Sequence, residues 1–466
     1  MSRFIIFGIT VATVVATSLL AYSANAVPYV NQPLVPASVA PDSSAFTLTV
    51  NGTGFASSAV VNWNGSARMT TFVSSSQVTA RITSTDVASA TTAAITVKNP
   101  SPGGGPSNTV YFTVTPISSS VTFNRKGAAH GQLPLTTISA DFNGDGILDL
   151  AVTLGFTDLF QAKGNVGILI GNGDGTFRTP VNYRVPENPA GIVAGDFNGD
   201  GKADLAVGSG LGNGKAAVSV LIGNGDGTFQ PRVIYPAGKL PIGQTPVLAI
   251  DTNGDGKLDL VFPVNNFLAT YLGNGDGTFA APLFSSSPDS FGAESVTVGD
   301  FNGDGVLDVA YPALVQLGNG DGTFGAATAL SGGGIVSAFV AGDFNGDGKL
   351  DIAGAGAGSD TVYLGNGDGT FQNGITTTDA EGGVSAISTA DLNGDSVLDV
   401  VVSHYGTSTV TYSLGNGDGT FGPYTALVLG GPEQSAIADF NKDGKLDFAL
   451  ADYEAGSGVY VYLQGP

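Results

Sequence analysis

Seven times between Asp141 and Asp447 the chain repeats one nine-residue pattern, Asp-x-Asn-x-Asp-x-x-x-Asp. The copies read DFNGDGILD from Asp141, DFNGDGKAD from Asp196, DTNGDGKLD from Asp251 and DFNGDGVLD from Asp300. DFNGDGKLD from Asp343, DLNGDSVLD from Asp391 and DFNKDGKLD from Asp439 complete the series. A period of 43 to 55 residues means an array of like units, each burying its apolar faces against its neighbours. Within each copy, side-chain oxygens stand at positions 1, 3, 5 and 9, and position 7 offers a carbonyl. That alternation suits a hard cation such as Ca²⁺, which takes roughly six to eight oxygens in flexible geometry. Three carboxylates in so short a loop repel one another unless a cation lies between them. An EF-hand is excluded, because position 12 of the first loop is Val152 rather than Glu and strand-like rather than helical runs flank it.

The rest of each period predicts β structure. GNGDGTF or its near copy follows six of the loops, with its Asn at 172, 224, 274, 319, 366 and 416. Short runs of Ala, Val, Ile, Leu and Tyr lie between these landmarks, as at Thr137–Ala140, Leu148–Leu154 and Val166–Ile170. No window outside the first 26 residues sustains a helical period. About four short strands fit one period, the content of a propeller blade. Strand A precedes the acidic loop, B follows it, C precedes the NGDGTF turn and D follows that turn. The last repeat supplies A, B and C and then stops, while Val121-Thr122-Phe123 copies the Thr-Phe that opens the other D strands. Val121 to Lys126 is therefore expected to pair with the C-terminal repeat and close a ring, removing open sheet edges. NGDGTF itself reads as a turn with a core Phe.

Composition sharpens the reading. Asp+Glu number 39 against 17 Lys+Arg, and 21 of the 34 aspartates belong to the nine-residue loops. An acidic surface kept only for solubility would use Glu freely, yet only five occur. Seven bound Ca²⁺ would bring the formal charge of −22 to about −8. The imbalance excludes nucleic acid as a partner, since phosphate neutralisation needs clustered Lys and Arg. Residues 1–26 read as a signal peptide: Arg3, an apolar run from Phe4 to Leu20, then the small-x-small site Ala24-Asn25-Ala26. No later segment could span a membrane, so the mature chain is expected to be secreted, periplasmic or on the cell surface. The absence of Cys rules out disulfides, leaving calcium as the expected stabiliser of loops outside the cell.

Residues 27–116 carry no acidic loop and read as a small β-sandwich, with strands over Ala45–Asn51 and Ala93–Lys98 and a turn at Asn64-Gly65. Pro100–Pro106 is an internal loop of that unit, and the boundary falls after Pro116.

The DFNGDGxxDLAV loops followed by LGNGDGTF resemble FG-GAP/VCBS repeats, the family that also builds the propeller head of integrin α chains. The resemblance covers roughly 117–466 and implies an all-β, seven-bladed propeller with calcium in each A–B loop, about seven Ca²⁺ in all. Carried over by position, it implies as ligands Asp141, Asn143, Asp145, Ile147 (by its carbonyl) and Asp149 in loop 1. Loop 2 would use Asp196, Asn198, Asp200, Lys202 and Asp204, and loop 3 Asp251, Asn253, Asp255, Lys257 and Asp259. Loop 4 would use Asp300, Asn302, Asp304, Val306 and Asp308, and loop 5 Asp343, Asn345, Asp347, Lys349 and Asp351. Loops 6 and 7 would use Asp391, Asn393, Asp395, Val397 and Asp399, and Asp439, Asn441, Asp443, Lys445 and Asp447. Departures fall between these positions: Thr252 for Phe at position 2, Lys442 for Gly at 4, and Ser396 for Gly at 6. The last is expected to make loop 6 the weakest site, because its turn favours positive φ. Residues 27–116 resemble a TIG (IPT) immunoglobulin-like domain in VNGTGF at 50–55, VVNWNG at 60–65, VTARI at 78–82 and NTVYFTV at 108–114.

Up-and-down blades place the acidic loops and NGDGTF turns on one face and the variable B–C and D–A loops on the other. Binding surfaces concentrate in such variable loops. Phe267, Tyr405, Tyr453 and Glu454 are the candidates for an extracellular glycan or protein ligand. A catalytic constellation does not stand out: His130 and His404 lie in separate repeats, and no G-x-S-x-G marks a nucleophile. The expected function is a calcium-binding adhesion or recognition module, with a polysaccharide-degrading enzyme, or the accessory binding domain of one, as the alternative.

Overall fold

The computed structural model describes residues 24–118, 121–129, 134–155, 164–211, 215–239, 246–264, 267–287, 295–334, 336–356, 358–378, 382–428, 432–452 and 458–465. Among them every regular element is a β-strand, and no helix is long and apolar enough to cross a membrane. Seven antiparallel four-stranded sheets follow one another in a propeller-like array. The first contains Pro134–Ala140, Asp149–Leu154, Gly164–Leu169 and Val181–Val185, hydrogen-bonded in that order.

Burial falls outward along each sheet. Strand B is enclosed throughout in the first and in the third to seventh sheets, for example Asp149–Leu154 and Asp399–His404. It packs against neighbouring sheets on both faces, which is why these strands read as unbroken runs of Val, Leu and Ala rather than alternating. The outermost strands are more exposed, as in Ile375–Thr378, where three consecutive Thr face solvent, and Val181–Val185. The A strands of the first three sheets touch in turn, as do those of the fourth to the seventh, and the A strand of the last sheet, Pro432–Ala438, touches Pro134–Ala140 of the first. A shared apolar core joins the same two sheets, with Leu150, Val152 and Leu154 packed among Ala436, Phe440, Ala449 and Val461.

Closure of the last sheet comes from upstream in the chain. Phe123–Ala129 pairs antiparallel with Gly458–Gln464, with Phe123 opposite Gln464 and Ala129 opposite Val459. The strand starts two residues later than Val121 and runs past Lys126. Val121 is engaged elsewhere: its carbonyl accepts the Tyr412 hydroxyl of the sixth sheet at 2.6 Å. A bulge between Arg125 and Gly127 resets the register and lets the pairing continue. Phe123 stacks on Phe448 at 4.1 Å and meets Tyr412 edge-on at 5.5 Å, so one ring ties the sixth and seventh sheets to the returning strand.

The N-terminal residues form two sheets around one core. One orders Tyr29–Val30, Phe46–Thr53, Gln77–Ile82 and Thr70–Ser74; the other contains Ser38–Val39, Val110–Val114, Thr91–Asn99, Val60–Trp63 and Ser66–Ala67. Alternation does the sorting: Leu48 and Val50, Val78 and Ile82, and Ile95 and Val97 point inward from successive strands. Trp63 is 3% exposed, its ring 5.2 Å from Phe112, and so serves the core. The Pro100–Pro106 loop folds back so that Gly105–Pro106 pairs with Lys98–Asn99.

Phe123→Ala is expected to destabilise the chain by about 2–4 kcal/mol, as other large-to-small changes at packed aromatic positions do. Urea unfolding followed by Trp63 and Tyr fluorescence would measure it; a change within error would mean that this strand does not hold the array shut.

Candidate metal loops and binding face

Each acidic loop begins directly after strand A, and its ninth residue opens strand B. That ninth aspartate is 0% exposed in all seven copies. Its Oδ2 accepts the N–H of loop position 2 at 2.8–3.0 Å. In the first six sheets its Oδ1 accepts, at 2.8 Å, the N–H of the Gly that opens the GNGDGTF segment. The seventh sheet has no such segment, and the Gln464 N–H donates to Asp447 Oδ1 at 2.9 Å instead. One carboxylate thus ties the start of the A–B loop to the end of strand C.

Electrostatics makes these groups receptive to a cation. Burial pushes the carboxyls of Asp149, Asp204 and Asp259 up to about 6, those of Asp308, Asp351 and Asp447 to about 7, and that of Asp399 to about 8. In six of these loops, all but the third, the carboxylates at positions 1 and 5 both add to the rise; at Asp259 the contribution comes from Asp251. The first-position carboxylate folds the turn: Asp141 accepts Gly144 N–H through Oδ1 at 2.7 Å and Gly146 N–H through Oδ2 at 2.8 Å. Asn143 Oδ1 accepts Asp145 N–H, and Asp145 Oδ1 accepts Ile147 N–H, each at 2.8 Å. Among the described residues no three acidic side chains converge closely enough to enclose an ion; their oxygens face backbone N–H groups. The donor chemistry nevertheless fits a hard cation. Only oxygens are present, and in loop 1 each oxygen at positions 1, 3 and 5 that accepts a single N–H keeps a lone pair. Ser396 and Lys442 hold φ of 71° and 61° where the other copies have Gly, a cost of roughly 1–2 kcal/mol each.

The NGDGTF turn closes on itself. Asp174 Oδ1 accepts both the Thr176 hydroxyl at 2.5 Å and its N–H at 2.9 Å, which hold that carboxyl below the usual range. The turn also clasps the preceding sheet. Gly227 N–H donates to Phe142 O at 3.0 Å, Gly277 to Phe197 O at 2.9 Å, and Gly369 to Phe301 O at 3.0 Å. The same Phe of the acidic loop meets the turn's Phe edge-on at 5.6–5.8 Å in five pairs, including Phe440 with Phe177 across the junction of last and first sheets. Where the turn is missing, the Gln464 side-chain amide donates to Leu392 O at 3.0 Å. A turn signal in the sequence therefore marks an inter-sheet fastener as well.

No sequence signal announced what covers this face. The N-terminal sheets lie on it: Ser38 Oγ donates to Gly394 O at 2.6 Å, and Asp343 N–H to Gln32 O at 3.1 Å. Val27 N–H donates to Asp251 Oδ2 at 2.9 Å, and Thr53 Oγ1 to Asp300 Oδ2 at 3.4 Å. Burial of Asp251, Asp391 and Asp439 to 7–8% exposure follows. Between the two parts a cavity of about 330 Å³ is lined by Tyr29, Gln32, Tyr111, Val340, Ile387 and Thr389, among others.

Of the candidate binding residues, Phe267 is 44% exposed and meets Phe284, itself 52% exposed, edge-on at 6.0 Å. Tyr405 is 47% exposed on the sixth sheet, so it and Phe267 stand on sheets that are not neighbours. Tyr453 and Glu454 lie outside the described residues. His404, adjacent to Tyr405, is fully buried with Nε2 2.9 Å from Thr411 Oγ1, so it belongs to the core. Phe284 was not evident in the sequence, because an apolar residue within strand Leu283–Ser286 gives no hint of which face it takes.

The raised carboxyls set a pH dependence. A carboxyl whose folded pKa lies above its unfolded value, about 3.9, favours folding when protonated. The metal-free chain should therefore gain stability as pH falls from 8 toward 5.5, through the window of about 8 to 6 in which these groups titrate. Calcium at pH 8 should raise Tm without acidification. Calorimetry in chelator showing no rise on acidification would contradict this electrostatic account.

A family model described as the FG-GAP-like repeat matches residues 132–207, 251–311, 343–402 and 391–450. No curated protein matches the chain. Among solved structures, the periplasmic gluconolactonase of Pseudomonas aeruginosa matches at TM-score 0.52 and 14% identity, over 74% of this chain and 97% of that one. An Agrocybe aegerita lectin, described for specific recognition of non-reducing terminal N-acetylglucosamine, matches at TM-score 0.47 and 23% identity over 79% and 96%. A Bacillus licheniformis rhamnogalacturonan lyase matches at 0.46 and 15% over 94% and 90%. At these identities, only the first likeness bears on the fold, and it bears on the fold alone.

Proposed function

Because the chain belongs to the FG-GAP-like repeat family, we propose that it is an exported, calcium-stabilised recognition module that binds a glycan or protein outside the cell without turning it over. On this reading residues 1–26 are a leader, 27–116 an Ig-like sandwich, and 117–466 a seven-bladed propeller whose A–B loops hold calcium. Calcium would supply charge neutralisation and rigidity. This chain's own residues would supply the oxygens at positions 1, 3, 5, 7 and 9 of the loops. The buried ninth carboxylates, pushed up by burial, support a need for counter-charge at neutral pH.

The observation that carries the recognition reading is the exposed Phe267–Phe284 pair. The two rings project from the paired strands Phe267–Tyr271 and Leu283–Ser286, so they are presented on rigid backbone. Exposed aromatics held without conformational cost are the usual anchors of an interface, whether the partner is a sugar face or an apolar side chain.

Glycan and protein arrays would identify the partner. Phe267→Ala or Phe284→Ala is expected to weaken binding by roughly tenfold, about 1.4 kcal/mol, with Tm and calcium content unchanged. Asp145→Ala should do the reverse, lowering Tm and calcium content while sparing affinity. Turnover of a polysaccharide by the purified chain would replace this reading with an enzymatic one.

A further inference from the structure

We infer that loop 3, Asp251–Asp259, is not a calcium loop: the chain's own donors occupy the carboxylates that an ion would need, and the loop serves as the latch for the N-terminal sheets. The inference rests on the calcium reading of the other loops.

Three carboxylates carry the argument. Asp251 accepts four N–H groups: Gly254 at 2.7 Å and Asp255 at 3.2 Å on Oδ1, Gly256 and Val27 each at 2.9 Å on Oδ2. Each oxygen of a carboxylate offers about two lone-pair sites, so both are filled. The equivalent Asp141 accepts two such bonds and Asp196 three, all from within their own loops, while Asp300 accepts three from its loop and the Thr53 hydroxyl only at 3.4 Å. Asp259 differs in the same sense. Its Oδ2 accepts the Thr252 N–H and, in addition, the Thr252 hydroxyl, while Oδ1 accepts Gly273 N–H. Thr252 stands where five copies have Phe and one has Leu, so only this loop can place a hydroxyl there. Asp255 Oδ2 lies 3.5 Å from Lys257 Nζ, the shortest of the three such pairs in the acidic loops.

The covering segment fits closely. A Cβ at Gly256 would fall 2.5 Å from Gly104 N and 2.6 Å from Gly103 Cα, so backbone of the N-terminal unit that outlasts removal of the leader lies directly on position 6 of the loop. Removal of the leader after Ala26, as proposed above, would turn the Val27 nitrogen into an α-ammonium and add a cation at Asp251. Metal and latch thus compete for the same oxygens, and in this copy the latch holds them.

The exported chain, its amino terminus read by intact mass, would be equilibrated in calcium and its ions counted by elemental analysis and native mass spectrometry. Six ions per chain are expected, one fewer than the seven loops. Crystals grown in calcium should show anomalous density in the other loops and none in loop 3. Asp251→Asn should leave the count unchanged and lower Tm by several degrees, whereas Asp196→Asn should lose one ion. Seven ions, density within loop 3, or an ion lost on Asp251→Asn would overturn the inference while leaving the calcium reading intact. Finding no ion in any loop would overturn both. The crystal measurement uses the unaltered chain and so decides the matter even if Asp251→Asn does not fold.

Discussion

The ninth aspartate of each acidic loop is the contact on which the rest depends. It is a carboxylate placed at zero exposure, an arrangement that costs several kcal/mol unless its oxygens are met. Here they are met twice, by the N–H that follows the first loop residue and by the N–H at the end of strand C. Strands A, B and C are thereby joined at one end by a single side chain. In the five loops with Phe at position 2, the residue that gives up its N–H also gives its carbonyl to the next sheet's turn, and its ring packs on that turn's Phe. The order within one sheet is therefore passed directly to its neighbour.

The same logic explains the seventh sheet. It lacks the NGDGTF turn, and two bonds would be orphaned: one to the ninth aspartate and one to the preceding loop's carbonyl. Gln464 supplies both, through its backbone N–H to Asp447 and its side-chain amide to Leu392. A single residue thus supplies both backbone-directed bonds that the seven-residue motif makes elsewhere. Phe123 takes the place of the missing aromatic ring.

The N-terminal sheets change how the acidic face is to be understood. Donors from this unit reach loops 3 and 4, while its backbone and Ser38 contact loops 5 and 6. Their first-position aspartates are consequently more buried in some copies than in others, and seven nearly identical sequences sit in different surroundings. Loop 3 is the extreme: its first aspartate takes the Val27 N–H on an oxygen already bonded within the loop, and its ninth takes an added hydroxyl from Thr252. Identity of motif does not carry identity of site.

The all-β class, the repeat and the strand-sized spacing were legible in the residues alone, because the Asp-x-Asn-x-Asp-x-x-x-Asp and NGDGTF patterns act through local backbone hydrogen bonds that recur wherever the residues recur. Thr122-Phe123, a lone copy of a turn's last two residues, is likewise the local mark of the strand that pairs with Gly458–Gln464. The rest arises between distant segments and becomes visible only once the chain is folded. Val121 binds Tyr412 rather than the C-terminal strand, His404 turns into the core beside the exposed Tyr405, and Phe284 joins Phe267 through strand register. The covering of the acidic loops by residues 24–118 has no periodic or compositional signature at all. It depends on shape and on single donors such as Val27 N–H meeting single acceptors 224 residues away, a relation no local pattern records.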